Sequence, residues 1–200
     1  LMTSATITDR LVALSRALIG RIRGGLAQVN VLVSMFFAGM NGSVVADTAT
    51  VGALVLPAMK KAGYPAAFSA AVTGVSSTIG GIIPPSIMMI VLANSTEISI
   101  AALFAAGIIP GVLIGVVIMI INHYFAIKHN FERSDEPFSI RRAGKELYRS
   151  SFALLIPLVL VGSVMGGVAS VVEAGAITAM VALFTGVFVY RTIKWKECTG

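Results

Sequence analysis

The chain has 200 residues, 56% hydrophobic and only 12% charged, with a net charge of +6 and a mean hydropathy of +0.91. A soluble domain carries about 25% charged residues, so half that share over long apolar runs implies lipid as the main solvent. The 15 Lys and Arg sit in short clusters between apolar blocks. That is the pattern of membrane topology, and without a basic groove interleaved with aromatics it excludes nucleic acid as a partner.

Cys198 stands alone, so no disulfide and no thiolate metal site can form within the chain. His123 and His129 do not share a helix face and have no evident ligand partner. No phosphate-binding loop, nucleophile elbow or HExxH is found, and neither a catalytic residue nor a cofactor is expected. The opening at Leu1 lacks a basic n-region and a cleavage site, so no signal peptide is expected and the chain reads as an internal piece of a longer protein.

Residues 1–23 form an amphipathic helix or the end of an upstream span: Ile7, Leu11, Leu14, Leu18 and Ile22 recur at helical spacing among Arg10, Arg16, Arg21 and Arg23. Residues 24–61 follow as two apolar arms separated by the turn signal Asn41-Gly42-Ser43. Each arm is about 25 Å long as a helix, short of the ~30 Å hydrocarbon core. Arg21 and Arg23 flank one outer end, Lys60 and Lys61 the other, which places both ends in the cytoplasm. The simplest shape is a re-entrant helical hairpin with its tip at 41–43; two ordinary short spans are the alternative.

Residues 62–127 hold a broken helix and a return span. The uncharged run 62–96 would be roughly 52 Å as one helix, too long for one crossing. The break lies at Ser76-Ser77-Thr78-Ile79-Gly80-Gly81-Ile82-Ile83-Pro84-Pro85-Ser86, where two glycines loosen the helix and two prolines remove donors. Half-helices are expected at about 65–78 and from about 85, with Glu97 on the far side. On the return span, Gly107, Gly111 and Gly115 make a GxxxGxxxG face for close contact, and Pro110 is a kink candidate. Residues 128–150 are a cytoplasmic or interfacial connector in which Phe138, Ile140, Leu147 and Tyr148 alternate with basic residues. Residues 151–200 supply two further spans, turning at Glu173.

Backbone that is not helical at membrane depth leaves N–H and C=O groups that lipid cannot satisfy, so the breaks at 41–43 and 76–86 belong in protein or on a wet cavity. A broken helix offers carbonyls to a dehydrated cation and amides to an anion. Asn41, Ser43, Ser76, Ser77, Thr78 and Ser86 add side-chain oxygens, a set that suits sodium better than calcium. The alternative is that these hydroxyls only cap half-helices. The expected sodium ligands are oxygens of Asn41, Ser43, Ser76, Thr78, Gly80 and Ile83; Gly42, Ser43, Pro85 and Ser86 are the expected substrate contacts. Asp47 lies 13 residues before Lys60, about 20 Å up its arm, where an ionisable group is a proton carrier, an ion ligand or a structural hydrogen-bond partner.

The segments Gly24-Gly25-Leu26 to Asn30, Phe37-Ala38-Gly39-Met40-Asn41-Gly42-Ser43-Val44-Val45-Ala46-Asp47, Lys61-Ala62-Gly63-Tyr64, Ile82-Ile83-Pro84-Pro85-Ser86 and Ile109-Pro110-Gly111 together resemble one family. It is the large membrane subunit of tripartite ATP-independent periplasmic (TRAP) transporters; Glu173-Ala174 and Phe188-Val189-Tyr190-Arg191 extend the resemblance over essentially the whole chain. Asn41 departs from it, because a serine is expected there more often. The resemblance implies an all-α integral membrane protein of the bacterial inner membrane, multi-pass, built as half of an elevator-type carrier. It implies sodium-driven transport of small organic acids, carboxylates or sugar acids. It also implies a periplasmic substrate-binding protein and a small four-helix membrane subunit as partners. Residues 24–122 would then be the first repeat's transport elements and 151–190 would open the second. The competing readings are a sodium/dicarboxylate symporter without a binding protein, an intramembrane hydrolase using Ser43 or Ser86, and a channel.

Overall fold

A computed structural model describes residues 5–19, 22–131 and 140–184 of the chain. The expectations placed on Arg21, Phe138, Phe188-Val189-Tyr190-Arg191 and Cys198 lie outside the described residues. Among the described residues the protein is all-helical, with no strand.

The helices are α1 (Ala5–Ile19), α2 (Gly25–Asn41), α3 (Val44–Lys61), α4 (Ala66–Ser77), α5 (Ile87–Thr96), α6 (Ile100–Lys128), α7 (Ile140–Met165) and α8 (Val171–Phe184), with a 3-10 turn at Thr78–Gly81 between α4 and α5. Helix α2 is the centre. Its buried residues include Ala27, Val29, Val31, Val33 and Phe37, which point in several directions, and α1, α3, α4, α6 and α7 all pack on it. A helix that is apolar nearly all round has no solvent face to keep, so it is the element that the others surround.

Helices α2 and α3 are joined by Gly42 and Ser43 alone. Asn30 near the start of α2 reaches Met59 near the end of α3, its Nδ2 lying 3.7 Å from the sulfur, so the two arms run antiparallel as a hairpin. Gly42 closes α2 in the left-handed conformation, with φ 58°, and its N–H returns to the Ala38 carbonyl. Ser43 opens α3, its Oγ accepting from the Ala46 N–H at 3.4 Å. This is a glycine stop followed by a serine cap, the cheapest way to reverse a helix in two residues.

The second interruption follows the glycines and prolines. Helix α4 ends at Ser77, the 3-10 turn covers Gly80 and Gly81, and α5 begins at Ile87 with Ser86 as its cap. The Ser86 hydroxyl donates to the Gly81 carbonyl at 2.8 Å and accepts from the Met89 N–H at 3.4 Å, so one side chain satisfies backbone groups on both sides of the gap.

Helix α6 is, among the described residues, the one helix long and apolar enough to cross a membrane. Ile109, Leu113 and Ile120 stand exposed along it while Gly107, Gly111 and Gly115 are buried. Apolar side chains outward and glycines inward is the pattern of a lipid-facing helix pressed closely against its own protein. Helix α7 runs unbroken from Ile140 to Met165 and packs on α1 and α8. Along α1, Leu11 and Leu14 are buried but Leu18 is exposed; Ile22, expected on the same stripe, lies beyond the end of α1 and is exposed. Helix α8 opens on a capping box: Glu173 accepts from the Ser170 N–H at 2.8 Å, and the Glu173 N–H is turned to the Ser170 Oγ at 3.3 Å. Where the α3–α4 turn meets the end of α6, Tyr64 and Phe68 cluster with Phe131, and His129 stacks between Phe125 and Phe131.

A polar seam joins α2 to α4. The Asn30 Nδ2 donates to Thr73 Oγ1 at 2.7 Å, Ser76 Oγ lies 3.4 Å from Asn30 Oδ1 and 3.1 Å from the Thr73 carbonyl, and the Ser34 and Ser76 hydroxyls share a hydrogen bond of 3.2 Å. Asn30, Ser34 and Ser76 are wholly buried. Deleting one member of such a set strands the others, at roughly 1–3 kcal/mol per buried group. Asn30→Ala should therefore lower the melting temperature of the full-length protein in detergent well beyond Thr48→Ala, whose hydroxyl is exposed and bonds only the Val44 carbonyl. Equal melting temperatures would show that the seam carries no stability.

Candidate functional site: the two helix breaks meet

The hairpin tip stands on the broken helix. The Gly42 carbonyl accepts from the Ile87 N–H at 3.1 Å, which satisfies one of the orphan amides that start α5. A side chain at Gly42 would collide with the Pro85 carbonyl oxygen, so glycine is required there both by its positive φ and by the closeness of the neighbouring backbone. A methyl on Gly80 would lie 3.6 Å from the Ser43 carbonyl oxygen and 3.8 Å from the Asp47 Cβ. Gly42, Ser43, Gly80 and Pro85 are thus one constellation, with Asp47 beside it. Asp47 is one helical turn past Ser43, and its N–H donates to the Ser43 carbonyl at 3.0 Å.

Asp47 is completely buried. Neither carboxylate oxygen has a hydrogen-bond partner, and the buried Ser77 hydroxyl has none either. A carboxylate taken out of water with no donor is costly, by several kcal/mol, so this spot is built for a cation, a proton or a water. No group of three or more His, Cys, Asp or Glu stands ready for a metal among the described residues. A monovalent ion served largely by carbonyls and hydroxyls needs none.

The other expected residues divide. Ser86 is buried at the break and bonded to the Gly81 carbonyl. Ile83 lies in the break, its side chain turned to Gly111 of α6. Ser76 is buried but turned into the seam with Asn30 and Ser34. Thr78 is exposed, its hydroxyl donating to the Val75 carbonyl at 2.7 Å. Asn41 is half-buried in the last turn of α2. Sequence reasoning counted Ser77 among the oxygens of the break but not among the sodium ligands, and it did not single out Ser34. The signal was present: Asn30 and Ser34 are four apart on α2, and Ser76 and Ser77 lie three and four residues after Thr73 on α4, so each set falls on one side of its helix.

A nucleophile reading finds no support in this geometry, since the Ser43 and Ser86 hydroxyls serve as helix caps and His129 is stacked among phenylalanines at the far end of α6.

The family model for the DctM component of tripartite ATP-independent periplasmic transporters matches residues 1–200. The chain belongs to this family. It is 36% identical over 197 residues to the C4-dicarboxylate TRAP transporter large permease protein DctM of Pseudomonas aeruginosa, covering 98% of this chain and 46% of that protein. It is 35% identical to the sialic acid TRAP transporter large permease protein SiaM of Vibrio cholerae, covering 96% of this chain and 45% of that protein. It is 36% identical to the 2,3-diketo-L-gulonate TRAP transporter large permease protein YiaN of Escherichia coli, covering 98% of this chain and 46% of that protein. The chain spans about half the length of these relatives. The TRAP relatives are named as transporter permeases, for acids as different as a dicarboxylate, a sialic acid and a diketogulonate.

Gly42 and Gly63 separate the two demands that a glycine can meet in this TRAP chain. Both have positive φ, 58° and 78°, but a side chain at Gly63 would find nothing within 4 Å. In the full-length transporter, Gly63→Ala should cost only the left-handed penalty of about 1–2 kcal/mol and keep uptake. Gly42→Ala should abolish uptake, because the tip must leave Pro85. Uptake by Gly42→Ala equal to that of Gly63→Ala would show that the tip contact is dispensable.

Proposed function

We propose that this chain forms the first transport repeat of a sodium-coupled permease that carries small organic acids across the bacterial inner membrane. The observation that carries the reading is the contact between the two helix breaks: the hairpin tip seats on the broken helix through Gly42 and Ile87, and the Ser43 carbonyl, Gly80 and the unpaired Asp47 carboxylate converge beside it. In this reading the sodium ion takes oxygens from Ser43, Asp47, Gly80 and Ile83, with Asn41, Ser76 and Thr78 at its margin. The acid is held by Gly42, Ser43, Pro85 and Ser86, through hydroxyls and the amides that open α3 and α5. Sodium neutralises Asp47, and the tip then seats on the break with its amides free for an anion. That is a physical basis for coupling: each ligand completes what the other needs.

The names of the relatives support the substrate class, and the family supports a multi-pass membrane protein working with a small membrane subunit and a periplasmic binding protein. The hairpin is read as re-entrant, entering from the cytoplasm and returning to it, and carried as part of an elevator.

Sodium-dependent uptake in proteoliposomes, with the small subunit and with or without the binding protein, is the test. Asp47→Asn should raise the sodium concentration for half-maximal uptake about tenfold or more, as loss of a charged ligand does. Ser43→Ala should shift it less, and Thr78→Ala, whose hydroxyl is directed at Val75, least of all. An unchanged sodium curve for Asp47→Asn would take the carboxylate out of the site. Uptake undiminished without the binding protein would favour a symporter that needs none.

Topology is tested separately. Single cysteines replacing Arg23 and Lys61 should react with an impermeant thiol reagent from the cytoplasmic side only. Reaction from opposite sides would replace the re-entrant hairpin by two crossings.

A further inference from the structure

The break is held from two sides. The hairpin tip lies in front of it. Behind it runs α6, and the contact there is made by glycines four residues apart, so that they form one stripe. A methyl on Gly107 would strike the Ile82 carbonyl oxygen and come 2.5 Å from the Met89 Cε. A methyl on Gly111 would strike the Ile83 Cγ1 and stand 3.4 Å from the Ile83 backbone nitrogen. A methyl on Gly115, one turn further, would have the Met35 side chain as its nearest neighbour, 2.5 Å from its sulfur and 2.9 Å from its Cε.

These three neighbours differ in what can yield. The Met35 thioether is the far end of a flexible side chain and can swing away. The Ile82 carbonyl cannot move without the peptide that carries it. That peptide belongs to a tight local fold, since both the Ile82 and Ile83 N–H groups return to the Ile79 carbonyl, at 2.9 and 2.8 Å. On the opposite side of the same loop, Gly80 faces the Ser43 carbonyl and Asp47. Added thickness at α6 therefore displaces the break toward the tip or off its seat at Gly42. Binding groups must be held to within about 0.5 Å to work.

We propose that α6 is the template on which the break is set: Gly107 and Gly111 are positioning residues that fix the height of Ile82 and Ile83, and hence of the oxygens offered at the tip, without touching the ion themselves. The functional half of this inference rests on the sodium reading above. The structural half does not.

The test compares the wild type, Gly107→Ala, Gly111→Ala, Gly115→Ala, Ile83→Ala and Gly111→Ala combined with Ile83→Ala in the full-length transporter. Two readouts are taken: hydrogen exchange of the peptide covering residues 82–90 without sodium, and the sodium concentration for half-maximal uptake. Gly107→Ala and Gly111→Ala should speed exchange, because the Ile87 N–H loses its hold on the Gly42 carbonyl, and should raise the sodium requirement about tenfold. Gly115→Ala should match the wild type in both. Removing the Ile83 side chain makes room for the methyl at position 111, so the double variant should return toward the exchange and sodium curve of Ile83→Ala alone. A folded Gly107→Ala protein with wild-type exchange and sodium curve would overturn the proposal. If Gly107→Ala does not fold, failure of Ile83→Ala to relieve Gly111→Ala overturns it instead. If wild-type uptake ignores sodium, the sodium reading fails, and the exchange data still decide whether α6 sets the break.

Discussion

Lipid offers no hydrogen bonds, and that constraint organises this protein. A helix interrupted at membrane depth leaves amides and carbonyls that only other protein groups, an ion or trapped water can satisfy. Here two interruptions answer one another. The carbonyl that ends the hairpin's first arm takes the amide that begins α5, and serine hydroxyls cap α3 and α5. Among the described residues the buried side-chain atoms without a partner are both Asp47 carboxylate oxygens and the Ser77 hydroxyl, together with Ser15 Oγ, Gln28 Oε1 and Asn122 Nδ2 elsewhere. The Asp47 carboxylate is the one charged group in that set, and it lies one helical turn from the hairpin tip.

The surroundings follow from that meeting point. Helix α2 carries the tip and is encased by other helices, so the tip stands on the best-packed element. Helix α6 presents glycines to the break and aliphatic side chains outward. Close backbone approach is possible only where side chains are absent, and the glycine stripe supplies that along one face while the rest of α6 keeps the apolar surface a membrane requires.

Much of this was legible in the sequence, and the reasons are specific. Gly80-Gly81 and Pro84-Pro85 punctuate an apolar run too long for one crossing, and the half-helices expected at about 65–78 and from about 85 match α4 and α5. Asn41-Gly42-Ser43 carries a stop and a cap in adjacent residues. What could not be read was direction. Ser76, Ser77 and Thr78 are consecutive, and on a helix they point 100° apart: one enters the seam, one is buried without a partner, one is exposed. Hydroxyls alone do not say which is which until the neighbouring helix is placed. Nor does charge mark helix ends. The basic segment at 141–149 suggested an element separate from the apolar stretch after it, yet α7 continues through both, because a helix keeps its backbone bonded whether its side chains face headgroups or hydrocarbon.

The seam between α2 and α4 also limits how these helices can move. Apolar surfaces slide over one another at little cost, since one methyl contact replaces another. Hydrogen bonds do not, and Asn30, Ser34, Thr73 and Ser76 pair in one register only. A shift of α4 by one turn along α2 would break the bonds from Asn30 and Ser34 to Thr73 and Ser76, while Thr73 and Ser76 would keep only the carbonyls of their own helix. The two helices are therefore pinned like a toothed joint, and a displacement of the hairpin that keeps these bonds carries α4 with it.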